Sequence, residues 1–151
     1  MGGLAIAGGA FVGMEGVAAI VHRFVMHGPG WRWHRSHHLR HDRLFEANDL
    51  YALLFAGVAV MLFVAGAQGR PVLWWLAAGT TGYGLVYALV HDCLVHRRFL
   101  KLPAARRGYL KRLVQAHQLH HAVQDKEGCV SFGFLYAPKV ERLRARLKAR
   151  A

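Results

Sequence analysis

Two uninterrupted apolar stretches dominate the pattern of the chain. Leu50 to Ala67 (LYALLFAGVAVMLFVAGA) runs for 18 residues and Val72 to Val90 (VLWWLAAGTTGYGLVYALV) for 19, neither with a charged residue. As a helix, the shorter stretch reaches about 27 Å, close to the thickness of a bilayer's hydrocarbon core. Gln68-Gly69-Arg70-Pro71 breaks the run between them, and Trp74 and Trp75 sit where an interfacial aromatic anchor belongs. The pair therefore predicts a transmembrane hairpin. Gly2 to Val21 is also apolar apart from Glu15 and lacks the basic start and small-residue cleavage site of a signal peptide. It predicts a third spanning or deeply inserted helix, in which Gly9 and Gly13 have the spacing that lets helices approach closely.

Charge distribution extends this picture. Of the 20 basic residues, five lie between Arg23 and Arg43, fourteen between Arg97 and Arg150, and only Arg70 in the hairpin loop. This is the positive-inside pattern: with three spans, the N-terminus is outside and both basic segments are cytoplasmic. The net charge of +12 is then mostly topology. Nucleic acid is excluded as a partner, because basic segments tied to membrane helices offer neither stacking platforms nor a helix free to enter a groove. The tail Val140 to Ala151 (VERLRARLKARA) predicts a short basic amphipathic helix, lying on anionic lipid or solvated. At 151 residues, the chain is expected to form a single domain, 1–151. The fold class is all-α: multi-pass membrane helices with a cytoplasmic-side, histidine-rich helical cap.

The chain holds 11 histidines, and ten of them fall into two patterns that each occur twice. His22 and His27, and again His91 and His96, form H-x4-H; His34, His37 and His38, and again His117, His120 and His121, form H-x2-H-H. On an α-helix, positions i, i+3 and i+4 lie within about 100° of one another, so each H-x2-H-H presents three imidazoles on one face. H-x4-H is less regular, its members being about 140° apart on an ideal helix. Such a pair must straddle a helix end or address two ions, and Gly28-Pro29-Gly30 supplies an end directly after His27. Ten neutral imidazoles can hold two first-row metal ions and leave coordination positions open, an arrangement suited to catalysis rather than structure. His41 shares a face with His34 but reads as a solvent-exposed or supporting histidine and is left out of the set. Asp92, next to His91, and Glu15, seven residues before His22, could each accept an imidazole N–H and fix its tautomer; Glu15 is the stronger candidate, since an acid within an apolar helix needs a reason. Cys93 and Cys129 stand far apart, so a disulfide framework, a thiolate zinc site and an iron–sulfur cluster are unsupported.

The strings HRFVMHGPGWRWHRSHH (His22 to His38), FEANDLYALLFA (Phe45 to Ala56), HDCLVHRR (His91 to Arg98), AHQLHHAV (from Ala116) and GCVSFGFLYAP (to Pro138) resemble those of the small membrane-bound bacterial β-carotene 3-hydroxylases, within the histidine-rich fatty acid hydroxylase superfamily. The resemblance covers nearly the whole chain. It implies three to four spans in the bacterial inner membrane and a non-haem di-iron monooxygenase that uses O2 to hydroxylate C3 of β-ionone rings. β-Carotene would become β-cryptoxanthin and then zeaxanthin, and ketolated carotenoids would proceed toward astaxanthin. The two iron ions would be held by His22, His27, His34, His37, His38, His91, His96, His117, His120 and His121. No catalytic side chain beyond these ligands is implied.

An unactivated C–H bond requires redox chemistry of this kind. The chain carries no flavin or nicotinamide fingerprint, and the resemblance implies ferredoxin and its reductase as electron donor. Arg97, Arg98, Arg106, Arg107, Lys111 and Arg112 could steer an acidic donor or contact lipid headgroups. Phe24, Trp31, Trp33, Tyr83 and Tyr87 could line the substrate's route, although packing and interfacial anchoring predict the same aromatics; the residues of the substrate pocket stay unassigned. Two rivals remain at this point: a fatty acyl or sterol hydroxylase or desaturase with the same iron chemistry, and a non-enzymatic membrane metal binder or transporter.

Overall fold

The computed structural model describes residues 2–39 and 43–150; His41 lies outside them. Every regular element among the described residues is helical: α1 (Gly2–Ile20), α2 (Trp31–His38), α3 (Asp49–Ala67), α4 (Pro71–Tyr87), α5 (Gly108–His120) and α6 (Val140–Lys148). Two π-helical segments, Val21–Met26 and Ala88–Val95, prolong α1 and α4. The all-α expectation is met.

Three helical stretches are long and apolar enough to cross a membrane: Gly2–Met26, Asp49–Ala67 and Pro71–Val95, with mean hydropathies of 1.9, 2.3 and 1.2 over 18-residue windows. The chain is a membrane protein, and no fourth such helix occurs among the described residues. Leu53, Met61 and Leu85, among many apolar side chains on these helices, point outward, as lipid-facing residues do. Helix α4 starts with Pro71 in its first turn, where a missing N–H costs nothing, and packs against both α1 and α3. α1 and α4 approach closely at Gly79, where a β-carbon would collide with the Ala7 carbonyl and the Ala10 methyl. Gly9 and Gly13, by contrast, have open space at their α-carbons. The small-residue contact predicted from their spacing lies instead on α4, because the face of α1 that packs carries Ala7 and Ala10.

α1 and α4 end, and α3 begins, on the same side of the bundle, and the remaining elements build a cap there. Leu113 and Ala116 of α5, Val130 and Ala137 of the loop, and Leu143 of α6 form its apolar core, with Val90, Leu119 and Leu147 packed around it. The apolar face of the C-terminal helix is thus spent on α5: Val140 and Leu143 are buried. The basic amphipathic helix expected there is present; its apolar face packs on α5 rather than on lipid, while Arg142, Arg144, Arg146 and Lys148 stay exposed.

Candidate metal centre

The two H-x4-H pairs lie on the π-helical turns. A π-turn closes an i→i+5 hydrogen bond, and both pairs are the two ends of such a bond: the His27 N–H donates to the His22 carbonyl at 3.0 Å, and the His96 N–H to the His91 carbonyl at 2.9 Å. The wider turn places residues five apart above one another, which an α-helix cannot do. Each pair also spans a helix end, one of the two alternatives that ideal α-helical spacing left open: the π-helical segments stop at Met26 and Val95, and His27 and His96 are their C-terminal caps. Each pair lies within one group.

Ten imidazoles converge in two groups. His22, His27, His34, His38 and His120 offer ring nitrogens within 4.8 Å of one another, and so do His37, His91, His96 and His117. His121 stands beside the second group, its Nε2 at 2.8 Å from that of His117, with ring centroids 4.7 Å from His37 and 4.9 Å from His96. The H-x2-H-H motifs are shared rather than used as single faces. His34 and His38, one helical turn apart, serve the first group while His37 serves the second; His117 and His121 serve the second while His120 crosses to the first. Each group thus comprises one H-x4-H pair, one i,i+4 pair and the i+3 histidine of the other motif.

Seven of these rings have Nδ1 committed to an oxygen. His22 donates to the Phe132 carbonyl (2.9 Å), His27 to Lys126 (2.9 Å), His38 to Val123 (2.9 Å) and His120 to Val130 (2.9 Å). His34 donates to Asn48 Oδ1 (2.7 Å), His37 to Glu46 Oε1 (2.7 Å) and His91 to Asp92 Oδ1 (2.8 Å). A neutral imidazole protonated at Nδ1 carries a lone pair at Nε2. Yet Nε2 faces Nε2 at 3.1 Å in His22–His34, 3.2 Å in His27–His120, 3.3 Å in His34–His38 and 3.0 Å in His37–His91. No proton is available to join these pairs. Two imidazole nitrogens bound side by side to one metal ion, at about 2.0–2.1 Å each, stand about 3 Å apart. The donor set therefore fits a cation in each group.

Burial keeps the rings neutral, as ligands must be. Desolvation, followed by neighbouring imidazoles, lowers His37, His117 and His120 well below the usual histidine value. Burial likewise takes His34 to about 3, partly offset by its Asn48 hydrogen bond, and His38 to about 4. His121 falls to about 2 through burial and then His96. Cys129 is buried and pushed up to about 11, a protonated thiol rather than a ligand.

The carboxylates are deployed differently from expectation. Asp92 accepts from His91, but Glu15 touches no imidazole. Its two oxygens accept the backbone N–H groups of Phe134 (2.9 Å), Leu135 (3.0 Å) and Tyr136 (2.9 Å) and the Tyr83 hydroxyl (2.7 Å). Residue 133 must be glycine there, since a β-carbon would stand 2.5 Å from Glu15 Oε1. Glu15 thus secures the loop whose Phe132 carbonyl receives His22. Glu46 and Asn48, which sequence reading did not single out, sit in the quoted FEAND string. Their signal was a cluster of polar residues just before an apolar helix, where an N-cap is the ordinary explanation.

Arg98 is also repositioned. Its guanidinium turns inward to Asp49 (2.8 and 2.9 Å), Glu46 (3.2 Å) and the Leu44 carbonyl (2.7 Å), with Asp92 at 3.6 Å. It braces the carboxylates that hold His37 and His91, and its side chain is largely buried. Arg97, in the left-handed conformation at φ 54°, marks the reversal, and it is exposed along with Arg106, Arg107, Lys111 and Arg112.

Of the aromatics read as a possible route, Phe24 and Trp33 point outward, and Trp31 stands against His27 and His38. Tyr83 and Tyr87 line a cavity of about 450 Å³ between α1, α3 and α4, together with Met14, Phe55, Ala56 and Phe134. It runs beside the helices from Phe63 to Asn48 and Asp92, which hold His34 and His91. A second cavity, of about 430 Å³ and more polar, is lined by His37, His96, His117 and His121.

The fatty acid hydroxylase family model matches residues 8–143. The chain is 56% identical over 136 residues to the beta-carotene hydroxylase of Paracoccus sp. (strain PC1), covering 89% of this chain and 84% of that one. It is 53% identical over 139 residues to the beta-carotene hydroxylase of Pantoea ananas, covering 92% and 79%. A plant relative, beta-carotene 3-hydroxylase 1 (chloroplastic) of Arabidopsis thaliana, is 39% identical over 142 residues, and this chain spans under half of its length. No solved structure matches. Two imidazole groups at the end of a membrane helix bundle, in a sequence this close to such relatives, make the chain a member of the fatty acid hydroxylase family, in its beta-carotene hydroxylase branch.

Proposed function

We propose that the protein hydroxylates C3 of the β-ionone rings of carotenoids, taking β-carotene through β-cryptoxanthin to zeaxanthin and ketolated carotenoids toward astaxanthin. The overall reaction joins a C–H bond, O2, two electrons and two protons to give C–OH and water. The observation that carries this reading is the paired set of five imidazoles, at the end of an apolar cavity, in a chain over 50% identical to beta-carotene hydroxylases.

The centre would take two non-haem iron ions, one held by His22, His27, His34, His38 and His120 and the other by His37, His91, His96, His117 and His121. Bound there, iron supplies the O2-dependent redox chemistry that no side chain of the protein can provide. The protein's own part is to hold the rings. Asn48, Glu46, Asp92 and the carbonyls of residues 123, 126, 130 and 132 fix each tautomer so that Nε2 faces inward. The cavity between the spans admits an apolar ring from the bilayer and excludes water. Electrons come from ferredoxin and its reductase, steered to the cap by exposed Arg97, Arg106, Arg107, Lys111 and Arg112. The domain 1–151 sits in the bacterial inner membrane with its histidines on the cytoplasmic side, as the basic residues direct.

Expression in bacteria that accumulate β-carotene, with chromatography of the extracted pigments, tests this directly. Wild type is expected to yield β-cryptoxanthin and zeaxanthin, while His120→Ala inserts in the membrane and yields neither. Unchanged β-carotene from membrane-inserted, iron-loaded wild type would overturn the carotenoid reading in favour of an acyl or sterol substrate.

A further inference from the structure

The cavity between the spans ends at the metal centre, but no histidine lines it. Part of the wall between the two is built of aromatic rings, beside Asn48 and Asp92, which border the same end of the cavity. Phe134 lines the cavity and stacks on His22 (centroids 5.1 Å apart, planes at 11°). Its edge contacts also reach Tyr87 at 4.6 Å and His91 at 5.3 Å. Tyr87, the second ring of the wall, stacks on His91 at 4.6 Å. Phe134 therefore touches both imidazole groups on one side and the apolar cavity on the other.

This ring belongs to a loop, not to a helix, and a loop residue is an insecure wall unless something fixes its backbone. Glu15 does so. Its carboxylate receives the N–H of Phe134 itself and of the next two residues, and Tyr83, another cavity residue, donates to the same carboxylate. An acid inside a membrane helix is costly unless its oxygens are satisfied; here four donors satisfy them, and the result is a fixed depth for the end of the cavity.

We propose that Phe134, held in place by Glu15, is the depth stop for the substrate ring and so determines which ring carbon is oxygenated. The inference rests on the carotenoid reading above. A ring entering along α3 and α4 advances until it meets Phe134 and Tyr87, and the carbon next to that wall is the one presented to the histidines. Removing the phenyl group lets the ring move deeper and presents its neighbouring carbons. Ala56, on the α3 side of the same cavity, lies away from the wall, so a large side chain there blocks entry without touching the centre.

The test compares wild type, Phe134→Ala, Phe134→Leu and Ala56→Phe by three readouts: iron per chain, β-carotene retained by purified iron-depleted protein, and the positions of the hydroxyl groups formed in β-carotene-accumulating cells. Phe134→Ala is expected to keep its iron and to lose C3 selectivity by about tenfold, the scale on which an apolar pocket discriminates small differences in shape; Phe134→Leu should be intermediate. Ala56→Phe should keep iron and retain little β-carotene. A wild-type C3 pattern from Phe134→Ala, or wild-type carotene retention by Ala56→Phe, overturns the proposal. Where Phe134→Ala fails to fold, the Leu variant and Ala56→Phe decide by the same criteria. If wild type neither retains nor converts β-carotene, the carotenoid reading fails and this inference with it; zeaxanthin from wild type with unshifted products from the variants fails this inference alone.

Discussion

A histidine becomes a useful ligand only when its other nitrogen is occupied, and at the residue scale the oxygens opposite Nδ1 explain why this chain carries its polar residues where it does. Glu46 holds His37, Asn48 holds His34 and Asp92 holds His91, while Arg98 braces Glu46 and Asp49. Removing one such partner loosens a ring without deleting a ligand. Glu46→Ala and Asn48→Ala should each weaken metal binding by about 10–100-fold, as measured by equilibrium dialysis of purified protein against Fe(II) or Co(II); unchanged affinity in both would refute the role given to these side chains. The ten histidines were legible because spaced repeats of one residue stand out in any sequence. Their partners were not. Four of the seven acceptors are backbone carbonyls, which leave no trace in residue identity, and Glu46 looks like any acid before a helix. Glu15 was singled out for a sound reason, its place in an apolar helix, but the donors it collects are backbone N–H groups some 120 residues away, which no local pattern announces.

At the scale of elements, two devices turn linear motifs into two sites. One is the π-turn, which aligns residues five apart; the other is the exchange of the i+3 histidine between α2 and α5. The i,i+5 spacing pointed correctly to a helix end at His27, but ideal α-helical geometry did not show that the turn leading to it is a π-turn. The exchange could not be read at all, because it depends on α2 and α5 facing each other across the centre. The cap holds that arrangement through a small apolar core centred on the fully buried Leu143 of α6. Leu143→Ala leaves a cavity where α6 meets α5 and should cost the cap about 2–5 kcal/mol. Faster thermal inactivation and iron loss at unchanged membrane insertion are expected; a half-life equal to that of wild type would show that α6 is dispensable to the centre.

Viewed whole, the described residues form three candidate spans with two histidine groups that could hold metal at one end, and two unlike cavities, an apolar one between the spans and a more polar one beside His96 and His121. The spans follow from hydropathy, which acts over long windows and survives ignorance of detail. The cavity follows from how α1, α3 and α4 pack, and aromatic residues alone could not mark it, since Phe24 and Trp33 face outward while Tyr83 and Tyr87 face in. The most direct test is to supply purified, iron-loaded protein with β-carotene, ferredoxin and its reductase, and to measure iron content and O2 uptake together with the products. Two iron ions per chain and one O2 consumed per hydroxyl group formed is the expected result; a protein that holds zinc instead, or that takes up no O2 as β-carotene is supplied, would contradict it.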